Sequence, residues 1–207
     1  MAGFFITFEG VEHCGKTTQS EALSKHLKSE GHEVVLTREP GGTPLGRSIR
    51  DLLLHQQETP VDTVAELMLF GADRAQHVNT VIRPALASGK VVISDRFYDS
   101  TRAYQGYGRG IPMDLIDRAI SLATSGLVPD LSILVDIDLA TSRSRSVAEA
   151  DDRIEQSDDA FFHRVIEGFR TIASTERERF FVLAGTGTIQ DVTCRIIEET
   201  NRRMSTA

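Results

Sequence analysis

The chain has 207 residues, enough for one well-buried core, and is expected to form a single domain, residues 1–207. Hydrophobic residues at 40% and charged residues at 26% exclude a disordered or fibrous chain. A net charge of -7 argues against a nucleic-acid polymer as partner, so any anion must be held by a local cluster of Arg and Lys. Cys14 and Cys194 form neither a disulfide framework nor a metal-ligand spacing. Without a basic-apolar leader or a bilayer-length apolar run, the expected location is cytoplasmic, with no membrane partner.

The first apolar run, "GFFITFEG" from Gly3 to Gly10, is rich in aromatic and β-branched residues and suits an interior parallel strand. It leads into Gly10-Val11-Glu12-His13-Cys14-Gly15-Lys16-Thr17, which has the P-loop spacing of Gly, four residues, Gly, Lys, then Ser or Thr. Gly10 and Gly15 permit a tight turn that aims successive amides at an anion, and the following helix N-terminus adds partial positive charge. In such a loop Lys16 reaches the β- and γ-phosphates and the Thr17 hydroxyl sits on magnesium, so the ATP-binding stretch is taken as Gly10 through Thr18. The alternative is an ordinary glycine turn ahead of a helix; the strand before and the helix after favour the phosphate site. That helix is expected over Gln19–Glu30, with Ala22, Leu23, His26 and Leu27 on one stripe.

Further β-type runs follow at Val34–Leu36, Val91–Ile93, Leu131–Val135 and Phe180–Leu183. Helical spacing lies between and beyond them, over Leu45–His55, Thr63–Ala87, Met113–Thr124, Leu139–Val147, Phe161–Thr175 and Ile189–Arg203. The alternation implies an α/β fold, a mostly parallel sheet with helices on both faces. Two segments are loop-like, "REPGGTP" (Arg38 to Pro44) and "AEADDR" (Ala148 to Arg153).

Ligands of open parallel sheets gather outside the carboxyl ends of the strands. The P-loop follows the first strand here, "TREPGG" the second, and "SDRFYDSTRAYQ" (Ser94 to Gln105) the third. Arg38 and Arg96 stand where guanidinium forks could grip a second phosphate facing the P-loop, and Asp95 where it could hold magnesium through water. A plain Asp-Arg surface pair is the alternative. Within Thr63–Ala87, Val64, Leu67, Met68, Gly71, Ala75, Val78 and Ile82 form an apolar stripe expected to face the core. Phe70 and Arg74 share another face with Glu66, Asp73 and His77, which suits either a flat ligand stacked on the ring or a second packed face.

"FITFEGVEHCGKTTQ", "TREPGGTPLG", "MLFGADRAQHVNTVIRPAL", "SDRFYDSTRAYQGYGRGI", "PDLSILVDID" and "DRIEQ" occur in an order that resembles the bacterial thymidylate kinases. These are P-loop nucleoside monophosphate kinases that make dTDP from dTMP with ATP and Mg2+, in dTTP biosynthesis. The resemblance implies a five-stranded parallel sheet flanked by helices, a short lid near residues 148–153, and a homodimer. It also implies that Phe70 stacks on thymine, Arg74 bonds a base carbonyl, and Thr101 and Gln105 complete the base contacts beside Ser100. Tyr104 would favour deoxyribose, Glu12 would meet the 3′-hydroxyl, and Arg38, Arg50 and Arg96 would hold the dTMP phosphate. Lys16, Arg96, Arg153 from the lid, and Thr17 and Asp95 through magnesium would surround the transferring phosphoryl group.

One departure concerns the two residues before Gly15-Lys16, usually small in these bacterial enzymes and here His13 and Cys14. An Arg occupies the His13 position in the eukaryotic branch; His13 is expected to be a solvent-facing spectator, and Cys14 to be oxidation-sensitive. Two rival functions are a P-loop kinase for another acceptor and a GTP-binding switch. The base and sugar set argues against the first, and the lack of an Asn-Lys-x-Asp motif against the second.

Overall fold

Strand β1 (Phe4–Glu9) is buried along its whole length, and the sheet is built around it. The structure is a computed structural model that describes residues 3–54, 60–146 and 153–206. β1 pairs with β3 (Val91–Asp95) on one side and β4 (Leu131–Asp136) on the other; β2 (Val34–Arg38) lies beyond β3 and β5 (Phe180–Ala184) beyond β4. Every pairing is parallel and the order is β2-β3-β1-β4-β5, the expected five-stranded sheet. The chain winds to one side of β1 for β2 and β3, then crosses to the other for β4, and such a reversal opens a crevice at the carboxyl edge.

The alternation of β1 feeds two cores. Phe4, Ile6 and Phe8 join the cluster under α1 (Lys16–Ser29), α8 (Asp159–Thr175) and α9 (Ile189–Met204), whereas Phe5 joins Val78, Ile82, Phe97, Ile116 and Ile120 on the other face. Asp158 and Thr188 cap α8 and α9 by accepting backbone N–H bonds from Phe161 and Asp191. The remaining helices are α2 (Pro44–Leu54), α3 (Thr63–His77), α4 (Arg83–Ala87), α5 (Tyr98–Thr101), α6 (Met113–Thr124) and α7 (Leu139–Arg145). Two π-helical segments interrupt the regular ladder, Val78–Ile82 between α3 and α4 and Arg102–Gly108 directly after α5. His55 and Val147, expected to end α2 and α7, and lid residues 148–152 lie outside the described residues.

α3 corrects one expectation. Of the stripe assigned to the core, Leu67, Val78 and Ile82 are buried, but Val64 and Met68 are 54% and 56% exposed. The buried face of α3 instead carries Glu66, Asp73, Arg74 and His77. Partners on other elements satisfy these polar groups, which makes their burial tolerable.

Candidate active site

The P-loop owes its shape to two glycines. Gly10 has φ 135° and a Cβ there would lie 2.7 Å from the Val135 carbonyl oxygen; Gly15, at φ 101°, caps α1. No side chain caps this helix start, so its first N–H groups are left for an anion. Lys16 curls over the loop and donates from Nζ to the Val11 carbonyl at 2.7 Å. The register sets Phe8 beside Asp95, so the residues after β1 reach the end of β3, and Thr17 Oγ1 donates to Asp95 Oδ2 at 2.6 Å.

Arg96 faces this loop. Its backbone is left-handed, φ 70°, and its side chain donates from Nη1 to the Gly10 carbonyl at 2.8 Å and to Ser100 Oγ at 3.1 Å, and from Nη2 to Glu12 Oε1 at 2.8 Å. The Tyr104 hydroxyl donates to Glu12 at 2.7 and 2.6 Å, and the Arg96 guanidinium lies 5.2 Å from the Tyr104 ring centroid. Burial pushes the Glu12 carboxyl up, but Arg96, Lys16 and the Tyr104 hydroxyl outweigh it and hold it below the ordinary value. Burial raises the Tyr104 phenol well above its ordinary value, so it remains a donor. Beneath them the buried Glu9 accepts from Phe97 N at 2.8 Å and Ser100 Oγ at 2.6 Å, pinning the turn that presents Arg96. Burial, then the Asp99 charge, raise the Glu9 carboxyl well above the carboxylate range.

The wall opposite is made by α3 and α5. Buried Arg74 donates to Glu39 Oε2 at 2.8 Å, Thr101 Oγ1 at 2.9 Å and the Phe97 carbonyl at 3.2 Å. Glu39 is held from behind by His77 Nδ1 at 2.9 Å, and His77 Nε2 meets Thr37 Oγ1 at 2.7 Å. Asp73 Oδ1 accepts the Gly41 N–H at 3.0 Å. The resulting cleft, about 300 Å³, is lined by Glu12, His13, Lys16, Thr17, Arg38, Arg50, Phe70, Arg74, Asp95, Arg96, Ser100, Thr101, Tyr104 and Gln105.

This arrangement sets a cradle of amides with an ammonium across from a group of guanidiniums, beside a flat aromatic wall. The family model for thymidylate kinase matches residues 8–196. The chain belongs to the thymidylate kinase family. The thymidylate kinase of Synechococcus sp. (strain CC9605) is 54% identical over 180 residues, covering 84% of this chain and 86% of that protein. That of Sulfurihydrogenibium sp. (strain YO3AOP1) is 44% identical over 201 residues, 97% and 98% of the two chains. The crystal structure of thymidylate kinase from Ehrlichia chaffeensis superposes with TM-score 0.79 at 38% identity, over 97% of this chain and 99% of that one.

Among the residues that the thymidylate kinase resemblance singled out, the cleft collects Lys16, Thr17, Asp95, Glu12, Arg38, Arg50, Arg96, Phe70, Arg74, Ser100, Thr101, Tyr104 and Gln105. Arg153 is not among them. Its Nη2 donates to Glu66 Oε2 at 2.6 Å and its Nε to the Leu53 carbonyl at 2.9 Å, so the buried carboxylate of α3 holds it away from the nucleotide cradle. Thr18 is exposed on the first turn of α1, and Val11 packs in the core. Cys14 is also a core residue, 2% exposed, which removes the access that oxidation needs. His13 is exposed at the cleft rim with φ 57°.

Sequence patterning missed Glu9, Glu39 and the support given by Asp73 and His77. Glu9 was hidden in an apolar strand and Glu39 in a loop; the one signal for the others was their position on the same helical face as Arg74. Among the described residues no group of three or more His, Cys, Asp or Glu could hold a metal ion. The adjacent oxygens of Thr17 and Asp95 suit a magnesium ion that arrives on nucleotide phosphates and brings most of its ligands with it.

Proposed function

We propose that this chain transfers the γ-phosphoryl group of ATP, as its magnesium complex, to dTMP, forming dTDP for dTTP biosynthesis. The observation that carries this is the meeting of two phosphate-binding groups in one cleft: the P-loop with Lys16, and Arg38, Arg50 and Arg96. Thr17 and Asp95 would hold magnesium, which supplies charge neutralisation on the donor phosphates. The attacking oxygen of dTMP is already anionic, so no general base is needed and the protein's task is alignment and charge stabilisation.

The side chains divide that task. Arg96 is anchored on Gly10 and Glu12, so it is preorganised between donor and acceptor. Phe70 offers a ring to the thymine, and Arg74 is aimed by Glu39 and His77 so that its remaining N–H groups meet a base carbonyl. Glu12 is positioned by Tyr104 and Arg96 for the sugar 3′-hydroxyl. Arg153, bound to Glu66 in this structure, would join the reacting set when the lid closes on ATP.

The working form is a homodimer in the cytoplasm, with residues near 148–153 serving as lid. α2 and α6 each pack against α3, and each of the three turns apolar side chains outward: Leu45 and Leu52, Val64 and Met68, Leu115 and Leu122. Gly71, in the middle of α3, has open space where a Cβ would stand. Exposed apolar residues on adjoining helices suit a two-fold contact with a second copy of this chain. Among the described residues no helix is long and apolar enough to cross a membrane. A coupled ADP-release assay across dTMP, dUMP, dCMP and UMP tests the acceptor: preferred turnover of dTMP is expected, and a preference for UMP or dCMP would refute the assignment.

A further inference from the structure

The Glu66 carboxylate, 1% exposed, collects three side chains that come from separate parts of the chain. Its Oε1 accepts from Gln105 Nε2 at 2.8 Å and from Arg109 Nε at 3.3 Å; its Oε2 accepts from Arg109 Nη2 at 3.3 Å and Arg153 Nη2 at 2.6 Å. Burial pushes this carboxyl up, but Gln105, Arg109 and Arg153 together hold it below its ordinary value, so it is ionised and can only accept. A primary amide facing such a carboxylate must present its NH2 group, which turns its oxygen the other way. Gln105 is itself a cleft residue, and its amide oxygen accepts no hydrogen bond from any described residue.

The neighbouring groups have the opposite polarity. Arg74 commits one N–H each to Glu39, Thr101 and Phe97, which leaves two of its five. Thr101 Oγ1 accepts from Arg74, so its own proton is free to be donated. This edge of the cleft therefore offers donors at Arg74 and Thr101 and an acceptor at Gln105.

We propose that Glu66 is a specificity-determining positioning residue: it fixes the Gln105 amide with its oxygen toward the acceptor base. It thereby selects a pyrimidine with a 4-keto oxygen and an N3–H over one with a 4-amino group and a bare N3. The inference rests on the dTMP kinase assignment and deepens it. A cytosine base would meet the edge with a donor facing donors and an acceptor facing an acceptor, and sites that leave buried polar groups unpaired discriminate strongly.

The test compares kcat/KM for dTMP and dCMP in wild type, Glu66→Gln, Gln105→Met and the double variant. Glu66→Gln lets the Gln105 amide turn over, so the dTMP:dCMP ratio is expected to fall about tenfold or more, while KM for ATP stays unchanged. Gln105→Met lowers the ratio as well, and adding Glu66→Gln to it lowers it no further, because Glu66 acts through Gln105. An unchanged ratio in either single variant, or independent losses that add in the double variant, overturns the proposal. Should Glu66→Gln fail to fold, Glu66→Asp keeps the charge on Arg109 and Arg153 but withdraws the carboxylate from Gln105; a lowered ratio supports the role and an unchanged one overturns it. Wild-type protein inactive on dTMP overturns the acceptor assignment itself. Activity on dTMP with ratios unmoved by the variants overturns only the role of Glu66.

Discussion

The Tyr104 hydroxyl donates to both carboxylate oxygens of Glu12, at 2.7 and 2.6 Å, and so ties the π-helical segment after α5 to the middle of the P-loop. Glu12 also takes the Nη2 of Arg96, and the three groups form one polar floor to the cleft, where the proposed acceptor site lies. Tyr104→Phe keeps the ring that packs near Phe161 and Phe169 and removes only the donor. A hydrogen bond to a charged group is worth about 1.5–3 kcal/mol, so KM for dTMP is expected to rise about tenfold or more with a smaller change in kcat. Steady-state kinetics at saturating ATP measures the split, and an unchanged KM would count against this role for Glu12.

Lys16→Ala is expected to lower turnover by at least about 10² to 10³, the usual cost of removing a donor aimed at developing charge. The side chain's one strong hydrogen bond is to the Val11 carbonyl inside the same loop, so circular dichroism and the unfolding midpoint should stay near wild type. Near-normal turnover in a folded variant would refute the role of the P-loop lysine.

Burial, and then the Glu39 carboxylate, push the Asp73 carboxyl from its ordinary 3.8 up to about 6. The folded protein therefore binds this proton more tightly than the unfolded chain. Through this group stability falls as pH rises from 3.8 to about 6, and above that the fold carries the full cost of the charge. Asp73→Asn keeps a carbonyl oxygen for the Gly41 N–H and is expected to raise stability at pH 8 by about 1–3 kcal/mol, with little gain near pH 4. Urea unfolding at the two pH values checks this; an equal change at both would mean that Asp73 is not the titrating group.

Met68→Glu places a charge among the outward apolar residues of α3, where the side chain is 56% exposed in the single chain. Expected is a shift from dimer to monomer by light scattering, without loss of the monomer's helical content. An unchanged mass would move the proposed interface elsewhere.

The P-loop could be read from sequence because backbone and chemical demands coincide in one contiguous stretch: Gly10 and Gly15 for the turn, Lys16 and Thr17 for the phosphate. The central strands β1, β3 and β4 were legible for a similar reason, since residues buried on both faces make unbroken apolar runs. On α3 the second packed face, one of the two readings open from sequence, is present, but Val64 and Met68 were assigned to the core because a helical wheel sorts residues by polarity alone. Glu66 and Arg74 are buried because Gln105, Arg109, Arg153, Glu39 and Thr101 reach them from other elements, and nothing local announces those partners. Arg153 shows the same limit. Its motif places it beside the expected lid, but the acid it meets is decided by how α2 and α3 pack. The π-helical segments also left no signal, as each alters a helix by its hydrogen-bond spacing and not by its composition.

Arg96 holds a left-handed backbone, a conformation that costs a side-chain-bearing residue about 1–2 kcal/mol. Glycine would relax that strain, but it would also take away the guanidinium that spans Gly10, Glu12 and Ser100. Main chain and cleft thus place opposite demands on one position, and no natural amino acid meets both. A search for stabilising changes would be drawn to this residue, and any change there would remove the guanidinium on which the proposed phosphoryl transfer depends.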